Sequence, residues 1–149
     1  MAAAFKKILI FATLALFCSQ SLAQWNVQQS HINGNVPDAS DFRALLERDL
    51  LAYFRDSTSP SATSVEYKLL RDVPTQSGVA FPKYYAWVKV FAGSLILQEG
   101  AVRIAAIQRT QFEVTDFISS EQIKSNPSSI KNIFPAPLVP AVLSLADAK

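Results

Sequence analysis

The chain has little cysteine and little histidine, and this scarcity limits the chemistry it can perform. Its only cysteine is Cys18 and its only histidine is His31. Zinc sites in proteins are built mainly from several cysteine and histidine ligands, so a site of that type is nearly excluded. An internal disulfide is excluded because it needs two cysteines. The sequence therefore predicts a fold held together by its hydrophobic core, without a metal or other cofactor.

Glycine is also scarce, with only 4 residues in the chain. Neither the phosphate-cradling P-loop nor the dinucleotide fingerprint occurs, and both depend on glycine. Glu113 and Asp116 are the candidates for a paired acid and base. In a regular strand, residues three apart point to opposite faces, so we expect two separate solvated charges there. His31 lies in a polar stretch and is expected to be an exposed side chain. An enzyme is therefore the minor hypothesis.

The N-terminus has the three parts of an export signal. Lys6 and Lys7 precede an apolar run from Ile8 to Phe17, and Ser21-Leu22-Ala23 places small residues at the positions that signal peptidase reads. A membrane anchor would need roughly 20 apolar residues, about twice the length of this run. Lipidation at Cys18 is disfavoured because bulky Phe17 precedes it. We expect a signal peptide over 1–23, cleavage after Ala23, and a periplasmic or secreted protein.

The mature chain has no excess of positive or negative charge once the signal is removed. The chain has 14 basic and 12 acidic residues, and losing Lys6 and Lys7 leaves 12 of each. A neutral mature protein has no general attraction to nucleic acid or to an anionic membrane. We therefore expect no nucleic acid as a partner and, once the signal is removed, no stable membrane span. The expected partner is an unknown protein outside the cytoplasm or, through a local basic patch, an anionic polymer.

After a polar lead-in over 24–37, a single α+β domain is predicted over 38–149. Asp38 is expected to cap an amphipathic helix that ends near Asp56. Apolar residues recur along this helix at spacings of three and four, which predicts one face packed on a sheet. These residues are Phe42, Leu45, Leu46, Leu50, Tyr53 and Phe54.

About four antiparallel strands are predicted after the helix. The first shows alternation of apolar and polar residues, and the others are rich in branched and aromatic residues. The predicted strands are Thr63–Arg71, Tyr84–Leu97, Ala101–Ile107 and Gln111–Ile118, with a loop from Asp72 to Pro82. A three-residue turn at Gln98-Glu99-Gly100 is expected between the second and third of them. The last thirty residues predict a helical tail interrupted by Pro135, Pro137 and Pro140.

This order, a helix followed by an antiparallel meander, resembles the helix-on-curved-sheet folds of the cystatin and nuclear-transport-factor-like groups. The segment Lys89-Val90-Phe91-Ala92-Gly93 is similar to the inhibitory hairpin of cystatins, Gln-x-Val-x-Gly. It departs from that pattern at Lys89 and Phe91, and the chain has no Pro-Trp partner motif. The resemblance therefore implies a shape, and no protease-inhibiting role is carried over from it.

One face of the predicted sheet is the candidate binding surface. Because buried unpaired charge is costly, the charge-free, even-numbered residues should face the helix. The opposite face then carries aromatic and basic residues, of which five are the candidate binding residues: Tyr85, Trp87, Lys89, Arg103 and Arg109. Alternatively, the apolar residues of the tail cover this face, and these are Ile130, Ile133, Phe134, Leu138 and Val142.

Two functions are consistent with the sequence. The first is an exported, non-enzymatic binding or accessory domain that acts through a protein partner or an extended polymer. The second is a small-molecule-binding or enzymatic pocket domain of the nuclear-transport-factor-like type. A shallow aromatic surface would favour the first function, and a deep pocket holding a buried acid would favour the second.

Overall fold

A helix packed on a four-stranded antiparallel sheet forms the centre of the molecule in a computed structural model, which describes residues 29–148. The predicted signal peptide, its cleavage after Ala23 and the first part of the lead-in lie outside the described residues. The sequence predicts no helix in the lead-in, but residues 29–35 are helical (α1).

The central helix, α2, covers Ala39–Ser57. Leu46, Leu50 and Phe54 are fully buried on its sheet-facing side, as the apolar spacing predicts. Asp38 occupies the N-cap position, but its side chain makes no capping hydrogen bond. Its carboxylate binds Arg109 instead, so the capping role predicted for Asp38 is wrong.

The sheet has the strand order β1-β2-β3-β4, and every neighbouring pair is antiparallel. It is open, because β1 and β4 lie at its two edges. The α+β class, the helix-on-sheet packing and the proline-containing helical tail are therefore confirmed. The strands are β1 (Ser64–Leu69), β2 (Lys83–Ala92), β3 (Leu95–Ile107) and β4 (Gln111–Ser119).

The turn between β2 and β3 lies at Gly93 and Ser94, so the turn predicted at Gln98-Glu99-Gly100 is wrong. Gly93 has a φ of 60°, which glycine adopts without the strain a side chain would cause. A two-residue turn pairs Ala92 with Leu95, that is, even with odd numbers. An irregularity between Val90 and Phe91 then shifts the register, and Val90 pairs with Gln98.

This shift restores the face assignment that the sequence predicts. Beyond it, even residues of β2 lie opposite even residues of β3, so the charge-free faces of both strands point to α2. We call this side the inner face. Its core contains residues from all four strands and from α2, including Leu46, Phe54, Val65, Tyr84, Val88, Val102, Ile104 and Phe112.

The turn between β3 and β4 is held by the end of α1. Gln108 and Arg109 have φ values of 53° and 63°, a conformation that costs non-glycine residues energy. Asn35 compensates for this cost with two contacts. Its side-chain oxygen accepts from the N–H of Gln108 at 3.1 Å, and its carbonyl accepts from the N–H of Arg109 at 2.9 Å.

The C-terminal tail is a chain of short helices on the side of the sheet opposite α2. Ser119 and Gln122 form a reciprocal capping box at the start of α3 (Ser120–Ser125). Two 3₁₀ segments follow, Pro127–Asn132 and Ala136–Leu138, and α4 covers Val139–Asp147. Pro140 lies in the first turn of α4, where its missing N–H costs nothing, so it starts this helix without breaking it.

Candidate functional site

The tail covers much of the outer face, which is the side of the sheet away from α2. Tyr85 and Trp87 are only 5% and 4% exposed. They form a second core with tail residues, and Ile133 and Leu138 pack against it. The tail residues of this core are Ile123, Ile130, Phe134, Val142 and Ala146. The alternative in which the tail folds over the sheet is therefore the one observed. The open aromatic surface expected at Tyr85 and Trp87 does not exist.

The three basic candidates each bind a carboxylate. Nζ of Lys89 lies 3.4 Å from Glu99, and a guanidinium nitrogen of Arg103 lies 2.5 Å from Asp116. Arg109 pairs with Asp38 at the turn between β3 and β4. The structure therefore places Arg109 away from the other two, and the five candidate residues do not form one continuous site. Whether any of them binds a partner stays a prediction.

A groove remains on the outer face between the sheet and the end of α4. Its volume is about 430 Å³. Strands β1, β2 and β3 contribute its walls, and Leu145 and Ala148 close it on the α4 side. Its lining combines apolar surface with charges of both signs, from Glu66, Tyr67, Lys68, Trp87, Lys89, Ile96, Glu99, Leu145 and Ala148.

Glu99 organises the interior of the groove. The indole N–H of Trp87 donates to Oε1 of Glu99 at 2.9 Å, and Nζ of Lys89 lies 3.4 Å from the same oxygen. The pairing of Trp87 with Ala101 and of Lys89 with Glu99 brings these groups together on adjacent strands. The otherwise buried indole N–H is satisfied, and the orientation of the Trp87 ring is fixed.

Glu66 and Lys68 form the rim of the groove along β1. They lie opposite Lys89 and Trp87 on the outer face, and both are exposed. Within residues 29–148, neither of the two is part of an ion pair. The groove therefore offers one carboxylate and one ammonium group that are free to bind a ligand.

The turn between β2 and β3 adds apolar surface at one end. Leu95 is 64% exposed and Ile96, which lines the groove, is 47% exposed. Large exposed apolar side chains beside a groove are typical of binding surfaces. Val90 pairs with Gln98 and Phe91 with Ile96, so Leu97 is an extra residue in β3, and Ile96 lies opposite Phe91 beyond the regular part of the strand.

Tyr67 lies at the boundary between the groove and the inner core. Burial raises the pKa of its hydroxyl group, and the carboxylate of Glu47 on α2 raises that pKa further. Arg43, which pairs with Glu47 at 2.8 Å, acts in the opposite direction. Tyr67 therefore stays neutral at physiological pH and contributes an uncharged wall.

Glu113 and Asp116 do not form a separate acid–base pair. A second register shift, between Arg103 and Ile104, leaves Thr115 as an extra residue in β4. Glu113 then lies opposite Ala105 and Asp116 opposite Arg103, so the two acids share the outer face and our expectation of opposite faces is wrong. The ion pair to Arg103 already occupies the carboxylate of Asp116.

Other features give no evidence of chemistry in the part of the chain that is described. No group of three potential metal ligands occurs within residues 29–148. His31 is partly buried in α1, where we expected an exposed side chain, and its Nδ1 has no partner among these residues. None of the described helices combines the length and the hydrophobicity that crossing a membrane requires.

Most of the groove is not predicted from the sequence. Glu99 falls in the predicted turn, and Glu66 and Lys68 fall in the first predicted strand without being candidate binding residues. The signal for Glu99 was present, because Gly93-Ser94 is also an acceptable hairpin turn and would have kept Glu99 in β3. No local pattern indicates that Leu145 meets β1, since they are far apart in the sequence.

Comparison with known proteins adds no further information. No family model matches the chain, and neither a curated protein nor a solved structure is significantly similar to it. The groove must therefore be interpreted from its own geometry and charges.

Proposed function

We propose that this chain is an exported, non-enzymatic binding or accessory domain, and that its groove takes an extended segment of a protein partner. The observation that carries this proposal is the composition of the groove. Apolar side chains of Ile96 and Leu145 lie beside one free carboxylate and one free ammonium group, Glu66 and Lys68. A polypeptide offers both apolar groups and charges of both signs, so it complements such a surface.

An anionic polymer is a poorer match. Binding of polyanions depends on cations that are free to neutralise them. Lys89, Arg103 and Arg109, which the sequence offers as the basic face, are all paired with carboxylates. The free cation Lys68 has Glu66 as its neighbour on the same face, which opposes the approach of an anion.

The small-molecule or enzymatic alternative has less support. The side chains that line the groove include no histidine, cysteine or serine, and the one lysine beside a carboxylate, Lys89 at 3.4 Å from Glu99, is held in an ion pair. Trp87, the largest aromatic group of the lining, is almost completely covered and presents little surface to a ligand. We therefore propose no reaction at this groove. Export rests on the N-terminal pattern alone and is part of the proposal.

The test is a selection of random displayed peptides against the mature protein. We expect enrichment of peptides that combine an apolar residue with an acidic and a basic residue. Ile96→Arg should weaken the binding of a selected peptide by about tenfold or more, because it removes an apolar contact and alters the charge of the groove. Val79→Arg is the matched control, since Val79 is 82% exposed and does not line the groove.

The same selection can contradict the proposal. If no peptide is enriched, or if selected peptides bind Ile96→Arg as well as the unchanged protein, the groove is not a peptide site. Stronger binding to an anionic polysaccharide than to any selected peptide would also overturn the proposal in favour of a polymer ligand.

A further inference from the structure

The outer edge of β1 is open within residues 29–148. β1 pairs with β2 on one side, from Ser64 opposite Phe91 to Leu69 opposite Ala86, and no described strand pairs with its other side. An edge strand presents unpaired backbone groups that can hydrogen-bond to another strand. The register of this pair has no shift, so the edge of β1 is regular along its whole length.

The backbone groups that face this edge can be identified. Leu70 donates its N–H to the carbonyl of Tyr85 at 2.8 Å, one step beyond the pair of Leu69 and Ala86. Successive residues of an antiparallel strand direct their N–H and carbonyl groups to alternate sides. The backbone groups of Val65, Tyr67 and Leu69 therefore face the open edge.

The opposite edge of the sheet is different. β4 contains the extra residue Thr115, and bulges of this kind twist an edge away from further pairing. The start of β4 is also tied to α2, because the N–H of Phe112 donates to Asp49 at 2.7 Å. Of the two edges, β1 is the one suited to accept another strand.

We propose that β1 pairs with β1 of a second copy of this chain, antiparallel and centred on Tyr67. The exposed charges of β1 are self-complementary in this register. With Tyr67 opposite Tyr67, Glu66 lies opposite Lys68 of the second copy and Lys68 lies opposite its Glu66. Opposite charges at directly paired positions stabilise a sheet, and like charges destabilise it.

Neighbouring registers do not give this match. A shift by two residues in one direction places Glu66 opposite Glu66, and in the other direction Lys68 opposite Lys68. A shift by one residue moves the apolar side chains to the wrong face. In the proposed register, Val65 lies opposite Leu69 of the second copy on the inner face. Tyr67 and Leu69, which are only partly buried in the single chain, lose exposed surface.

Pairing around a twofold axis perpendicular to the sheet joins the two four-stranded sheets into one and keeps both outer faces on the same side. The two grooves then lie next to each other across the junction, because Glu66, Tyr67 and Lys68 line each of them. This inference goes beyond the proposed function and does not depend on it. Pairing of two copies engages Glu66 and Lys68 with each other across the junction, so a peptide bound by the dimer would contact the apolar part of the groove at Ile96 and Leu145.

Charge exchange tests the pairing, with the association constant of the mature protein measured by sedimentation. Glu66→Lys alone and Lys68→Glu alone should each weaken self-association by about tenfold or more, because each brings like charges together at two symmetric positions. The double exchange Glu66→Lys with Lys68→Glu should restore association. A mixture of the two single variants should also associate, since all-basic and all-acidic rims complement each other.

These outcomes separate a second copy from any other partner. A different protein bound at this edge would not accept the exchanged charges, and it would not make the single variants associate with each other. Three outcomes would overturn the proposal. The unchanged protein does not self-associate, or both single variants still self-associate, or the double exchange does not restore association. Glu113→Lys on β4 is the control and should leave association unchanged.

A cysteine at the centre of β1 tests the register. Cys18 is the only cysteine of the chain and lies in the expected signal peptide, so an introduced cysteine would be alone in the mature protein. Tyr67→Cys should form a disulfide-linked dimer under mild oxidation, whereas Glu66→Cys should form much less. Equal crosslinking at both positions would contradict the register. Ile96→Arg should dimerise normally, which separates this proposal from the peptide site.

Discussion

The backbone N–H of Phe112 donates to Oδ2 of Asp49 at 2.7 Å, which joins the start of β4 to the middle of α2. The same carboxylate receives Nε of Arg48 at 2.7 Å on its other oxygen. Phe112 is only 4% exposed, so its N–H has little access to water. Together with the hydrogen bond from Arg48 to the carbonyl of Thr110 at 2.8 Å, this contact adds a directed polar link to a largely apolar interface.

Asp49→Ala should lower the free energy of unfolding by about 1–3 kcal/mol, because it leaves the N–H of Phe112 without an acceptor. Chemical denaturation of the purified mature protein measures this change. Asp56→Ala is the control, since Asp56 is exposed on the same helix, and it should change stability by less than about 0.5 kcal/mol. Equal losses in the two variants would show that the Asp49 contact contributes nothing specific.

Gly100→Ala should prevent stable folding or cost about 3 kcal/mol or more. A Cβ atom at Gly100 would lie 2.2 Å from the carbonyl oxygen of Ile118, and backbone cannot move aside as a flexible side chain can. Gly34→Ala is the control. It has nothing within 4 Å and lies in α1, so alanine there should be neutral or stabilising by about 0.5–1 kcal/mol. Thermal melting of both variants checks the contrast.

Leu46→Ala should cost about 2–5 kcal/mol, because Leu46 is fully buried between α2 and the inner face. Arg48→Ala should cost less than about 1 kcal/mol, since the contacts of this half-exposed side chain, to Asp49 and to the carbonyl of Thr110, are both screened by solvent. The measurement is urea denaturation of the two variants side by side. Similar losses would mean that the orientation of α2 differs from that described.

Trp87→Ala should destabilise the protein by about 3–5 kcal/mol, as expected for a large aromatic side chain in a core. Trp87→Phe should cost less, because it keeps most of the ring and loses mainly the hydrogen bond to Glu99. Melting temperatures measure both effects. Unchanged stability of Trp87→Ala, with loss of peptide binding, would identify Trp87 as a ligand contact and not a core residue.

Intact-mass analysis of the exported protein should give a chain that starts at Gln24. The basis is the small residues at Ser21 and Ala23, which follow the apolar run of the signal. An Ala23→Arg variant should accumulate as the uncleaved precursor, because the peptidase site accepts only small side chains at that position. A lipid-modified N-terminus at Cys18 would contradict this prediction.

Local patterns predicted α2 and the face of each central strand well. The spacing of Leu46, Leu50 and Phe54 selects one helix face, and the cost of burying charge selects the even-numbered residues of β2 and β3. The predicted turn was nevertheless wrong. The sequence contains two acceptable turn positions. Both a three-residue turn and a two-residue turn followed by a bulge place even-numbered residues of β2 opposite even-numbered residues of β3, so the face assignment alone does not distinguish them.

The groove was not predictable in the same way, because it depends on contacts between distant segments. Glu66 and Leu145 lie on β1 and α4, and only the packing of the tail against Trp87 brings them to one site. The alternation of apolar and polar residues in a strand predicts which of its residues face the core. It does not predict how far a later segment of the chain extends across the sheet.

Four properties can be obtained from the order of the residues: the α+β class, the amphipathic helix, the charge-free inner face and the lack of ligands for a zinc site of the usual type. These properties follow from residue type and from spacing within one element. The tertiary structure alone decided that the tail covers Tyr85 and Trp87 and that carboxylates neutralise Lys89, Arg103 and Arg109. Both depend on which distant groups come together, because ion pairs and core contacts form between elements whose relative positions are set by the packing of the whole chain.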